Sequence, residues 1–169
     1  MQLIVPTDDG YLADRFGKYA SGEDVHADHP KRSFPFKITE APAGTLTFAL
    51  AFIDYDAVPV SGFVWLHWLA ANIPAEFTTI PDDASRSGAV PMVQGRNSNA
   101  GGMVRAQDVQ VAQGYVGPQP PDKDHAYTLM VFALDTELDL APGFWLNAMR
   151  RAMAGHVLAQ AEVDLWSRA

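Results

Sequence analysis

A chain of 169 residues with 48% hydrophobic and 19% charged side chains can bury a sizeable core, and this balance excludes an extended disordered polymer. A formal net charge of -8 excludes nucleic acid as the main partner, because phosphate-backbone binding needs a basic face. It equally excludes a polybasic contact with anionic membrane. With no cysteine present, disulfide frameworks and thiolate catalysis are out, and any metal would have to be held by His and carboxylates alone.

The opening segment Met1 to Asp9 has no basic leader and no apolar run of export length. No later stretch is long enough to span a bilayer. A cytoplasmic location without membrane insertion is the expectation. Residues Asp8 to Lys31 are irregular. Thr45 to Ile53 alternates, with Leu46, Phe48, Leu50 and Phe52 pointing one way and Thr45, Thr47, Ala49 and Ala51 the other. Because even the second face is scarcely polar, the pattern predicts a strand covered on both sides. Gly62 introduces a second strand, Phe63 to Ile73, which Pro74 closes. From Pro74 to Gln113 the chain is broken by Pro81, Pro91, Gly95, Gly101 and Gly102 and reads mostly as loop. Such a length in a compact domain points to function. Thr128 to Leu134 predicts a third strand. Pro142 suits the first turn of a helix whose Leu146, Met149 and Met153 form one stripe and which Gly155 stops. Val157, Ala159, Ala161, Val163 and Leu165 then alternate with Gln160, Glu162 and Asp164, a fourth strand with one wet face. Nothing repeats and no linker divides the chain. The expected fold is a single mainly β domain over residues 1–169 with a peripheral helix.

Three segments carry side chains suited to chemistry. Asp54-Tyr55-Asp56-Ala57-Val58-Pro59 follows the first strand directly, and while the chain stays extended Asp54 and Asp56 project to one side. Two like charges so close need a cation or hydrogen-bond donors between them; an Asp-rich turn ending a strand is the ordinary alternative. His67-Trp68 lies within an apolar strand, where parity groups His67 with Trp65 and Leu69, opposite Val64, Leu66 and Trp68. A lone histidine in such a strand is more often a buried one satisfied by a neighbour than a binding residue. Gly114-Tyr115-Val116-Gly117-Pro118-Gln119-Pro120-Pro121 leads into His125-Ala126-Tyr127. Its glycines allow close backbone approach and its prolines fix the loop before binding. A proline-rich turn would explain the prolines but not the His-x-Tyr.

In order and spacing, Asp54-x-Asp56-Ala57-x-Pro59, His67-Trp68, Gly117-Pro118-x-Pro120-Pro121 and His125-x-Tyr127 resemble the signatures of the phosphatidylethanolamine-binding protein family, in its bacterial Raf kinase inhibitor-like branch. Gln94-Gly95-Arg96-Asn97-Ser98 is similar to the bacterial members' Gly-x-Asn loop, and Gly155-His156-Val157-Leu158-Ala159 to their C-terminal segment. The resemblance covers roughly Ser33 to Val163, and four ordered motifs are specific where each alone is weak. It implies a compact domain of antiparallel Greek-key sheets with short peripheral helices and a cleft for phosphate-like or carboxylate-like anions. By motif position it implies a ligand-binding set of Asp54, Asp56, His67, Gly117, Gln119, Pro120, Pro121, His125 and Tyr127. His67 and His125 can donate to anion oxygens, Tyr127 adds a phenol, and backbone N–H groups of Gly117 or Gln119 can add more. Tyr55 replaces the usual proline between the aspartates, Val58 separates Ala57 from Pro59, and Ala126 replaces the usual arginine. Ser33-Phe34-Pro35-Phe36 also departs from the family pattern. These changes weigh against animal-type kinase binding.

The leading expectation is therefore a binding protein for a small anion such as phosphate or phosphoethanolamine. It needs no cofactor and no metal, and it serves to bind or inhibit a partner protein. The competing class is a metal-dependent or acid–base phosphoester hydrolase using the Asp/His pocket. Against it, no metal motif of recognised spacing and no nucleophile coupled to a base is present. An interaction protein with an unused pocket is the third reading. Four tryptophans and nine phenylalanines motivate a homodimer. His26 and His29 are expected to be solvated, with a weaker reading as a metal pair. His156 is expected in a structural hydrogen bond, and Arg150 and Arg151 beside the negative end of a helix. Arg96 is the basic residue to watch, because its Gly-rich loop is placed to border the cleft.

Overall fold

The computed structural model describes residues 1–169. Its strands are β1 (Gln2–Ile4), β2 (Val25–His26), β3 (His29–Pro30), β4 (Phe36–Thr39), β5 (Thr47–Asp54), β6 (Trp65–Pro74), β7 (Thr79–Ile80), β8 (Val93–Gln94), β9 (His125–Leu134) and β10 (Val157–Ser167). The helices are short: α1 (Val58–Ser61), α2 (Ala84–Ser87), α3 (Val109–Ala112) and α4 (Leu146–Ala152). The main sheet runs β10-β9-β5-β6-β8, and a smaller one runs β1-β4-β7. All pairings between these strands are antiparallel. The long stretch from Pro74 to Gln113 contains only elements of two to four residues, as its prolines and glycines require.

β5 is the strand around which the rest is arranged. Every one of its residues is buried, with β9 on one side and β6 on the other. Phe48, Leu50 and Phe52 enter one core with Phe36, Ile38 and Ile80 of the smaller sheet. Ala49, Ala51 and Ile53 face a second core closed by Leu138, Phe144, Met149 and Met153. Small residues on that second face let α4 lie close, while large ones on the first fill the space between sheets. Leu46 lies just outside the strand and is exposed. β10 is the outer strand and keeps the one wet face that its alternation predicts.

The helix starts later than Pro142 implies. Pro142-Gly143 forms a turn, Gly143 has φ +82°, and α4 begins at Leu146 after Trp145 in extended conformation. Proline's fixed φ serves a turn as well as it serves a first helical residue. Met149 and Met153 face the second core, and Gly155 at φ +85° stops the chain beyond the helix.

β6 carries two extra residues relative to β5. The pairing steps from Phe52↔Trp68 to Ile53↔Leu66, leaving His67 unpaired, and from Phe48↔Ile73 to Leu50↔Ala70. Each is a β-bulge, which shifts the side-chain alternation by one. The parity expected for His67 is therefore corrected. His67 shares its side with Trp65 and also with Trp68, which packs on Phe36 and Tyr115, whereas Leu69 enters the opposite core. At the second bulge Asn72 adopts φ +58°, and its side chain donates to Leu138 O and accepts from Leu138 N, both at 2.8 Å.

Asn72→Ala should lose those two bonds and also strain a left-handed backbone, destabilising the protein by about 2–3 kcal/mol. Asn72→Gly should cost about 1 kcal/mol less, because glycine relieves the strain. Equal losses on chemical denaturation would show that the left-handed geometry is not what Asn72 serves.

Candidate functional site

The C-terminal end of β5 and the N-terminal ends of β6 and β9 lie side by side, with Asp54 opposite Trp65 on one strand and Tyr127 on the other. These three strand ends form one wall of a cavity of about 280 Å³. The bulge brings His67 into this wall, where its ring meets the edges of Phe52 and Tyr127 at 5.9 and 5.1 Å. The opposite side comes from loops, through Val116, Gly117, Gln119 and Pro121, with His29, Asn99 and the α1 residues Val60 and Ser61 completing the ring.

Asp54 and His125 form a buried ion pair, with His125 Nδ1 donating to Asp54 Oδ2 at 2.8 Å and side chains only 1% and 5% exposed. The second oxygen of Asp54 accepts the Ala57 N–H at 3.0 Å. The Asp-rich segment is thus a strand-ending turn and a cavity wall at once. His125 Nε2 faces a second carboxylate, Asp122 Oδ1, at 2.9 Å. Burial opposes the charge on His125, but hydrogen bonds to Asp54 and Asp122 outweigh it and raise its pKa above the ordinary value. With a carboxylate on each nitrogen, this ring is an imidazolium with no donor left to offer.

His67 stands in the contrary condition. Its Nδ1–H donates to Val116 O at 2.7 Å, and Nε2 has no protein partner. Burial lowers its pKa, against the opposing pull of the Val116 carbonyl and the Asp54 charge. The neutral ring therefore presents a bare Nε2 lone pair in the cavity wall. Burial, reinforced by the charge of Asp54, keeps the Tyr127 phenol protonated.

The loop across the cavity is held by more than its prolines. Tyr115 O–H donates to Phe16 O at 2.6 Å, Lys18 Nζ to Pro120 O at 2.9 Å, and Gln119 Nε2 to Asp28 O at 3.2 Å. Gly117 sits so tightly that a Cβ would fall 2.2 Å from Phe16 O and 2.8 Å from Pro30 Cβ. Close approach, not a positive φ, excludes a side chain here. Asn97 is buried and ties the Gly-rich loop down, donating to Val111 O and Gly114 O and accepting from Asn99 N.

Of the residues selected from sequence, Asp54, His67, Gly117, Gln119, Pro121, His125 and Tyr127 line this one cavity. Asp56 and Pro120 lie outside its lining. Because β5 ends at Asp54, the extended parity no longer applies two residues on, and Asp56 Oδ2 accepts the Ala126 N–H at 3.0 Å. The Gly117 N–H is spent on Pro30 O at 2.8 Å and is not free for a ligand. His26 pairs with Asp108 at 2.7 Å, while His29 joins the cavity wall instead of being solvated. His156 bonds Asp135 at 2.8 Å. Asp122, Asn99 and Trp65 lie outside the set to which the sequence points. Only Asp122, three residues before His125, carried a signal, because a carboxylate so near a histidine can reach its ring. Side chains here form no cluster of three or more metal-ligating groups, and no helix is long and apolar enough to cross a membrane.

The sequence matches the family profile described as phosphatidylethanolamine-binding protein over residues 4–166. It is 48% identical over 158 residues to the Bacillus subtilis protein YxkA, covering 94% of both chains. The fold is similar to the crystal structure of Escherichia coli YbcL, described as a member of the mammalian PEBP family, with TM-score 0.76, 26% identity and coverage of 99% and 98% of the two chains. A phosphatidylethanolamine-binding protein homologue from Chlamydia trachomatis shares the fold at TM-score 0.77 and 22% identity, covering 99% of this chain and 97% of that one. With the profile matched almost end to end and the mainly antiparallel β architecture in common, this chain belongs to the phosphatidylethanolamine-binding protein family.

Proposed function

We propose that the cavity binds a small oxyanion, a phosphate or the phosphate of a head group such as phosphoethanolamine, with His67 Nε2 as its central contact. A carboxylate would use the same contact. The observation that carries this reading is the unpartnered Nε2 of His67 in a cavity wall whose nearest carboxylate, Asp54, is already engaged at both oxygens. Asp54 would repel an anion if it stood alone, but His125 and the Ala57 N–H neutralise it. The Tyr127 phenol, kept protonated beside Asp54, lines the same wall. At about 280 Å³ the cavity lies near the lower end of ligand pockets, roughly 300–1,000 Å³, a size for a head group and not for a whole lipid. His125 has both nitrogens engaged, so its part is to hold Asp54 and the strand ends in place.

The proton inventory follows from His67. Free, the ring is neutral and Nε2 can only accept; an oxyanion needs a donor there, so the complex holds one proton more. Either Nε2 is protonated, or a ligand hydroxyl such as that of monoanionic phosphate supplies the hydrogen. An anion without a proton of its own thus raises the His67 pKa from its burial-lowered value. Affinity is greatest below the free-state pKa and falls as pH rises above it, by up to about tenfold per pH unit.

Calorimetric titration with sulfate, which carries no proton of its own near neutrality, should show affinity falling from pH 5 to pH 8, with His67→Gln binding weakly throughout. Phosphate should outlast sulfate as pH rises. A pH-independent sulfate affinity in the unmodified protein would sink this account. The two histidines should also separate in kind. His67→Gln should lose anion binding at a stability cost of about 1 kcal/mol or less. His125→Gln should cost about 3 kcal/mol in denaturant melts, because it leaves the buried Asp54 charge without its counter-ion.

A further inference from the structure

We infer that a second, separate oxyanion site lies in the depression framed by Arg96 and Arg105, and that it takes a small molecule bearing two or more carboxylate or phosphate groups. The depression has a volume of about 340 Å³ and shares no lining residue with the His67 cavity. The Gly-rich loop separates them: Asn99 faces the cavity, and its neighbour Ala100 lines the depression.

The charge pattern is the main argument. The chain has 20 acidic residues against 12 basic ones, so a surface arginine has many carboxylates to choose from. Arg15 and Arg168 each take one and Arg32 takes two, while Arg86 is spent on backbone carbonyls and Arg150 and Arg151 sit in the last turn of α4. Arg96 and Arg105 have no carboxylate partner, and no acidic residue lines the depression they share. Asp108, nearby in sequence, is occupied by His26 Nε2 at 2.7 Å and the Gln110 N–H at 2.8 Å. Two like charges facing one hollow, without a counter-charge, leave an attractive potential for an anion there despite the negative whole.

Both guanidinium groups are placed without being consumed. Arg96 lies over the Trp145 ring, 5.4 Å from its centroid, so the indole supports one face and leaves the planar N–H edge available. Its backbone is fixed by a bond from Arg96 N to Phe144 O at 2.8 Å and by a bridge to Gln113. Arg105 holds a left-handed backbone at φ +55°, and its Nε donates to Gly102 O at 2.8 Å, leaving the two terminal nitrogens free. Gln107 Nε2 ties down Arg105 O at 2.9 Å. The Gln113 side-chain amide, also in the lining, makes no protein hydrogen bond and adds a neutral donor. Forked donors on fixed stems suit planar or tetrahedral oxyanions, and two of them suit a ligand with two such groups.

The test uses the intact chain, with citrate and pyrophosphate as probes for the carboxylate and phosphate forms of the same chemistry. In amide-resolved NMR titrations, at least one probe should shift Ala100, Arg105, Ala106 and Gln113. Each of Arg96→Gln and Arg105→Gln should weaken that binding about tenfold, and Arg96→Lys, which keeps charge but loses the fork, should fall between. His67→Gln should leave these shifts and this affinity unchanged, so the outcome does not depend on what the first cavity binds. The inference is overturned if neither probe moves these amides, if the arginine variants bind as the parent does, or if His67→Gln removes the binding.

Discussion

A carboxylate buried at the end of the central strand must be neutralised where it stands, and the Asp54–His125 pair does this. Removing both charges from water costs several kcal/mol per ion, which Coulombic attraction alone need not return. Additional hydrogen bonds make up the difference: the Ala57 N–H on the second oxygen of Asp54 and Asp122 on the second nitrogen of His125. The pair fixes the end of β5 against the start of β9, and the Ala57 contact sets the turn into α1. The cavity wall is therefore assembled around a charge already satisfied.

That arrangement gives two histidines in one cavity opposite conditions. His125 is buried between carboxylates and is cationic; His67 is buried against a carbonyl and aromatic edges and is neutral. Neither state follows from burial alone, since both rings are buried. The partner on each nitrogen decides between a ring held on both sides and one with a nitrogen left open. The charged ring is engaged at both nitrogens, and the neutral ring leaves Nε2 open to the cavity.

Much of the fold was legible in the sequence. The alternation of β5 is clean because both its faces are buried, and the stripe of Leu146, Met149 and Met153 marks α4 because only one face of that helix meets a core. Pro142 misled because its fixed φ serves turns and helix starts alike. The site was legible as a set of motifs, since Asp54, His67, the Gly117–Pro121 loop and His125-x-Tyr127 come from strand ends and a loop that three-dimensional pairing brings together. Its finer chemistry was not. Bulges depend on the partner strand, so the side on which Trp68 and Leu69 fall could not be read from β6 alone. The engagement of the Gly117 N–H by Pro30, and the approach of Asn99 and His29, depend on loops that meet across long sequence separations.

The extra residue at His67 also makes the cavity a matter of counting. Chemistry at this position can be varied by substitution, but the direction in which it points is set by how many residues lie between Trp65 and Trp68. Loss of one residue there would complete the ladder with β5, and a sheet with better pairing would carry a wall without its histidine. In comparing relatives, an alignment gap in this short stretch therefore says more about whether the cavity is present than any change of residue type within it.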